Sequence, residues 1–154
     1  MYAILLTIHS WFRWLVIASL VITLFRFYHG WFTGRKLSQV DAVTQSTTVK
    51  IVQTQFLIGL ALYVFSPMVR YFLFNFSTAV HQRDARFFGM EHITMMFIAV
   101  AVITVGSEKA LKRVTEKQKF TTIAIWFSVG LLIIFLSIPW EFSPFTRRPY
   151  FRIF

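Results

Sequence analysis

His9 and Arg13 stand one helical turn apart inside residues 3–25, a stretch that is otherwise almost wholly apolar. A second apolar stretch, residues 87–106, carries the adjacent pair Glu91 and His92 near its start. Ionisable groups in such surroundings are costly, about 2.5–3.5 kcal/mol each at mid-bilayer, so they need partners and commonly mark function. Imidazole is a common axial ligand of haem iron. Two neutral imidazoles facing each other across a helical bundle can hold one iron from both sides.

Geometry decides whether these two can meet. His9 lies about six residues inside its stretch and His92 about five inside its own, so at 1.5 Å per residue both sit roughly 8–9 Å below a membrane face. It is the same face if both stretches run in the same direction. Arg13 shares the helix face of His9 and leans back toward its level. There it would meet a haem propionate or the Glu91 carboxylate. Tyr63 falls at a similar depth in another apolar stretch and would donate a hydrogen bond. Glu91 and Tyr63 would thus tune the site. Met95 and Met96 follow His92 and would pack on a porphyrin, or one would serve as an alternative axial ligand. Gly89, one turn before His92, would make room, with Gly59 and Gly130 nearer mid-membrane.

Each of these residues also has a plainer use. Arg13, Glu91 and the two histidines can form a buried polar clamp that fixes helix register. Met and Phe at helical spacing are ordinary core residues. His29 and His81 fall in loops and read as solvated. Gln53 and Gln55, placed toward the other end of their stretch, suit packing, though Gln55 could meet a backbone group or a quinone-like carbonyl.

Positioning these groups requires spans. Four apolar stretches are long enough to cross a bilayer, which takes about 20 residues: residues 3–25, 51–69, 87–106 and 120–138. The composition agrees, being 56% hydrophobic and only 14% charged, where soluble domains carry about a quarter charged residues. Connections are short, so the expected architecture is a single-domain, all-α, integral membrane, up-down-up-down four-helix bundle. The first and third spans then run the same way, as the histidine pairing requires. Residues 36–50 are a polar loop or the start of a helix entering the membrane. Residues 70–86 are amphipathic and aromatic, suited to the interface. Pro139-Trp140 reads as a helix stop with an interface anchor, and residues 141–154 as a basic, aromatic tail along the membrane surface.

The net charge of +10 belongs to the loops, where headgroups and topology favour it, and gives no sign of nucleic-acid binding. Arg26, Arg35, Lys36, Lys50, Lys109, Lys112, Arg113, Lys117 and Lys119 mark one side; Arg70, Arg83, Arg86, Arg147, Arg148 and Arg152 mark the other. The first group contains every lysine, which puts both termini outside the cytoplasm. The amino terminus lacks a basic segment and a cleavage site of small residues, so the first span is expected to be retained. With no cysteine, disulfides, thiolate metal sites and covalent haem attachment are excluded. Hydrolase and phosphate-loop motifs are missing as well.

At these residues the chain resembles a known family. His9-Ser10 with Arg13-Trp14, the run from Gln55 through Gly59 to Tyr63, Arg86-Phe87 leading to Glu91-His92, and Ser137-Ile138-Pro139-Trp140 look like the small bacterial four-span membrane proteins labelled cytochrome b or cytochrome b-like. The likeness covers nearly the whole chain. It departs after Trp140, where Glu141-Phe142-Ser143 replaces a Pro-Phe-Arg-like ending. It implies haem b between His9 and His92, and electron transfer within the bacterial cytoplasmic membrane. Quinol or a redox protein would be the exchange partner, with a quinone as a further candidate cofactor, in an electron-transfer protein or subunit more than a stand-alone enzyme. The other expectation is a non-catalytic membrane subunit that docks a larger membrane complex. A small-solute or metal-ion transporter ranks third, because no polar path crosses the spans.

Overall fold

The computed structural model describes residues 1–140; the expectations for residues 141–154 fall outside them. Seven α-helices and one π-helical stretch account for the fold, with no strand among the described residues. Helix α1 (Tyr2–Thr33) contains no proline and stops at Gly34, whose φ of 64° lies in the left-handed region and whose N–H reaches the Gly30 carbonyl. That conformation favours glycine. Helix α2 (Gln39–Phe65) opens on a capping box, with the Ser38 hydroxyl and the Asp41 carboxylate each accepting the other's backbone N–H. Helix α7 (Glu116–Ser137) opens the same way on Thr115 and Gln118.

The second span differs from its expected bounds. Its helix starts at Gln39, so most of the polar stretch 36–50 is helical, and it ends at Phe65. Ser66 closes α2 and at once caps α3 (Pro67–Phe74), accepting the Val69 N–H. Pro67 has no N–H to continue α2 but suits the first turn of α3. Short helices α4 (Phe76–Ala79) and α5 (Arg83–Arg86) follow. The chain then passes through a π-helical stretch, Phe87–Glu91, into α6 (His92–Leu111). The third membrane-length run is therefore Arg83–Leu111, starting earlier than residue 87.

Tyr2–Thr33, Gln39–Phe65, Arg83–Leu111 and Glu116–Ser137 are each long and apolar enough to cross a membrane. Their outer faces expose Leu57, Phe97 and Leu132, each to more than half. Apolar faces of that extent suit lipid. The chain is accordingly a multi-pass helical membrane protein. Helices α1, α2, α6 and α7 form a closed ring in which α1 packs on α2 and α7, and α6 packs on the same two. Helices α1 and α6 thus stand across the diagonal. Neighbours run antiparallel: Arg26 meets Asp41 while Gln55 reaches the His9 carbonyl.

The two ends of this bundle are built differently. The loop end is packed tightly around Leu20, Phe27, Ile103, Phe120, Ile123 and Phe127, all fully buried. Small residues let the helices close there. A Cβ on Gly30 would fall 2.2 Å from Phe120 Cε1, and one on Gly130 would fall 2.3 Å from Ile103 Cγ1. Substituting Gly30 by Ala should therefore cost about 1–3 kcal/mol, the usual range for an overpacked core, measured as a loss of resistance to unfolding in mixed micelles. Hydrogen bonds between helices add register: Thr23 with Thr48 at 2.8 Å, Gln45 Nε2 to Ser107 Oγ at 3.0 Å, and Tyr28 with Ser128 at 3.0 Å. Bonds of this kind contribute about 0.6 kcal/mol each in membranes.

Asp41 closes the loop end. Its side chain is fully buried and accepts from Arg26 at 2.7 Å and Arg35 at 2.6 Å, as well as from Ser38. The hydrogen bond to Asp41 holds the Arg35 guanidinium above its ordinary pKa. Glu116 accepts the Leu37 N–H at 2.7 Å, which ties the first loop to the start of α7.

Candidate functional site

At the opposite end the packing opens into a cavity of about 190 Å³. His9 and His92 both line it, with ring centres 6.4 Å apart and ring planes at 79°. The matched depth expected from the sequence is thus met across the bundle diagonal.

Local structure aims each ring. The π-helical stretch places the His92 N–H on the Phe87 carbonyl, five residues back. Such one-turn insertions are frequent at functional sites. Here the insertion breaks the shared face that residues three apart would have in a regular helix. Gly89 faces away from the cavity, toward α3, where a Cβ would fall 2.3 Å from Phe72 Cγ. The room expected at Gly89 is therefore filled by Phe72. His92 points to the cavity, and its Nδ1 lies 2.9 Å from the Ser137 carbonyl oxygen. A carbonyl only accepts, so Nδ1 carries the proton and Nε2 keeps its lone pair. Outer bonds of this type fix the tautomer of metal-binding histidines.

His9 is set by α2. A Cβ on Gly59 would lie 3.0 Å from His9 Cε1, so glycine lets the α2 backbone lie against the ring. Gln55 Nε2 donates to the His9 carbonyl at 2.9 Å. His9 Nδ1 and Gln55 Oε1 are buried without hydrogen-bond partners among the described residues. Buried polar atoms left so are uncommon and ask for a missing ligand or water. Gln55 therefore stands beside His9, not at the far end of its span; the early start of α2 accounts for the shift.

The other sequence candidates divide. Arg13 lines the cavity, its guanidinium 5.4 Å from the Trp14 ring centre and 5.8 Å from that of Trp140. Trp140 is not a surface anchor. It is buried, donates from Nε1 to the Phe135 carbonyl and packs on Trp14. Tyr63 lines the cavity, but its O–H donates to the Gly89 carbonyl at 2.8 Å. It ties α2 to the π-helical stretch. Glu91 pairs with Arg86 at 2.6 Å and is not part of the cavity wall, because α5 brings Arg86 over it. Met96 lines the cavity and Met95 does not. His29 and His81 are exposed.

The axial pair can be tested against an iron. Imidazole–metal bonds of about 2.0–2.1 Å, with the centre of a five-membered ring about 1.1 Å from its nitrogen, would separate two ring centres in line with the metal by about 6.2–6.4 Å. The observed separation is 6.4 Å. The donor set and spacing fit. The cavity is smaller than the ~300–1,000 Å³ of most cofactor pockets, so a macrocycle has to displace part of its wall. Enlarging Gly59 should disturb the site first. Gly59→Leu would push His9 out of line, and should the cavity take haem, the expected result is an affinity at least about tenfold weaker, a 1.4 kcal/mol loss, with helicity unchanged by circular dichroism.

No protein-family model matches the chain, and neither a curated protein nor a solved structure is similar to it.

Proposed function

We propose that the chain binds haem b between His9 and His92 and relays electrons in the bacterial cytoplasmic membrane, exchanging them with quinol or another redox protein. The observation that carries this reading is the pair of imidazoles facing one cavity at 6.4 Å, with the His92 tautomer set by Ser137. Haem would supply one-electron chemistry, its iron alternating between two oxidation states.

The chain's own residues would do the rest. His9 and His92 would hold the haem iron. Arg13, at the cavity wall, offers a positive charge to a carboxylate of the ligand. Tyr63 fixes α2 to the Gly89 carbonyl, and the Arg86–Glu91 pair braces the turn that leads into His92. Their part is to hold the histidines in place. The lysine-rich loops would face the cytoplasm, which puts the site in the outer half of the bilayer with the termini outside.

The small cavity favours a second reading: a cofactor-free subunit whose polar cluster clamps the helices within a larger complex. One experiment separates the two. The protein is purified in mild detergent, supplied with haem, and examined by reduced-minus-oxidised difference spectroscopy. Soret and α bands of b type support the haem reading. A folded protein without them, co-purifying with a stable partner, supports the clamp.

A further inference from the structure

We propose that the cavity is loaded from the membrane surface through a gate formed by Tyr2 and Met68, not sideways from the lipid. The inference rests on the haem reading and concerns how that ligand enters. A second, surface cleft of about 400 Å³ lies between the start of α1 and the α3–α5 segment, with Tyr71, Gln82 and Asp84 in its wall. Tyr2 and Met68 line both this cleft and the histidine cavity. These two residues are therefore common to the walls of both chambers. Moving them would join the cavity to the cleft and supply the room that the cavity lacks.

Both residues sit where the backbone yields easily. Tyr2 is the first residue of α1, and Met68 is the second residue of α3, just past the break at Ser66. Helix ends open at low free-energy cost compared with the middle of a packed helix. The competing door is Leu60, which lines the cavity and is 42% exposed on the lipid side of α2. Haem carries two carboxylates, and drawing charge through hydrocarbon is expensive. The surface route avoids that. The apolar edge of the macrocycle can lead past Met68 while the carboxylates trail in water.

The absence of native cysteine allows a direct test. Single variants Met68→Cys, Leu60→Cys and, as a lipid-facing control outside both chambers, Leu57→Cys are purified without haem. Each is alkylated with N-benzylmaleimide, and haem uptake is followed by growth of the Soret band. Alkylation at Met68→Cys should slow uptake by about tenfold or more, equivalent to 1.36 kcal/mol per decade of added barrier, slow it more than alkylation at Leu60→Cys, and leave Leu57→Cys unchanged. Alkylating Met68→Cys after loading should leave the spectrum intact and slow haem release. Should the cysteine variant fail to fold, Tyr2→Ala provides the converse, with faster uptake and an unaltered final spectrum. Unchanged uptake in alkylated Met68→Cys, or slowing only at Leu60→Cys, overturns the surface route while the haem reading stands. Failure of the unmodified wild type to take up haem overturns both.

Discussion

If the chain binds haem as proposed, replacing His92 with glycine is expected to abolish the low-spin b-type spectrum, and added imidazole is expected to restore it. The substitution removes one of the two ring nitrogens that would hold the iron and leaves the Ser137 carbonyl without the ring that it holds at 2.9 Å. Loss of an outer partner of a metal-bound histidine already weakens binding by about 10–100-fold. Loss of the ligand itself should exceed that range. His9→Gly should behave alike, because the two rings share the cavity as equals. The rescue is the informative half. A histidine that only packs between helices leaves a hole when removed, and free imidazole in that hole would restore stability without producing any iron spectrum. Measurement of the Soret and α bands, with and without imidazole, separates ligation from packing.

The second large effect is expected at the other end of the bundle. Asp41→Ala should destabilise the protein by about 3–5 kcal/mol, the cost of breaking a buried charge pair by removing one partner. The lower end of that range applies, because Arg26 and Arg35 keep 31% and 28% of their side-chain surface exposed and can partly rehydrate. The substitution also removes half of the capping box that starts α2. Asp41→Asn should fall between Ala and wild type, since an amide oxygen still accepts one hydrogen bond. Unfolding in mixed micelles of rising SDS content measures the loss. The histidine end should be untouched while the protein remains folded, so the absorption spectrum of the haem-loaded variant should match wild type below its unfolding transition. A shifted spectrum in the folded variant would show that the two ends are coupled.

Much of this architecture is legible in the residues. Four apolar runs of membrane length give the spans, and short connections give their alternation. The equal depth of His9 and His92 follows from counting residues. The harder features depend on contacts that no local pattern announces. The helical start at Gln39 is written in Ser38 and Asp41, three residues apart, a capping signal hidden inside a polar stretch. Pro67 marks its break, but whether a proline ends a span or opens a new helix depends on the Ser66 cap. The π-helical stretch carries no motif, yet it decides that Gly89 meets Phe72 and that His92 meets the cavity. Glu91 pairs with Arg86 and not Arg13 for a related reason: Arg86 reaches it at 2.6 Å only because α5 runs directly into that turn. Gln55 and Gly59 became site residues once α2 was seen to lie against the His9 ring.

The central claim is that two crossed imidazoles ligate one iron. It is tested most directly by electron paramagnetic resonance of the oxidised, haem-loaded protein. Ring planes at 79° should give a strongly anisotropic low-spin ferric signal, the signature of two imidazoles lying nearly perpendicular, and that signal should vanish in His9→Gly and His92→Gly. A high-spin signal, or a low-spin signal unchanged by either substitution, would contradict the account.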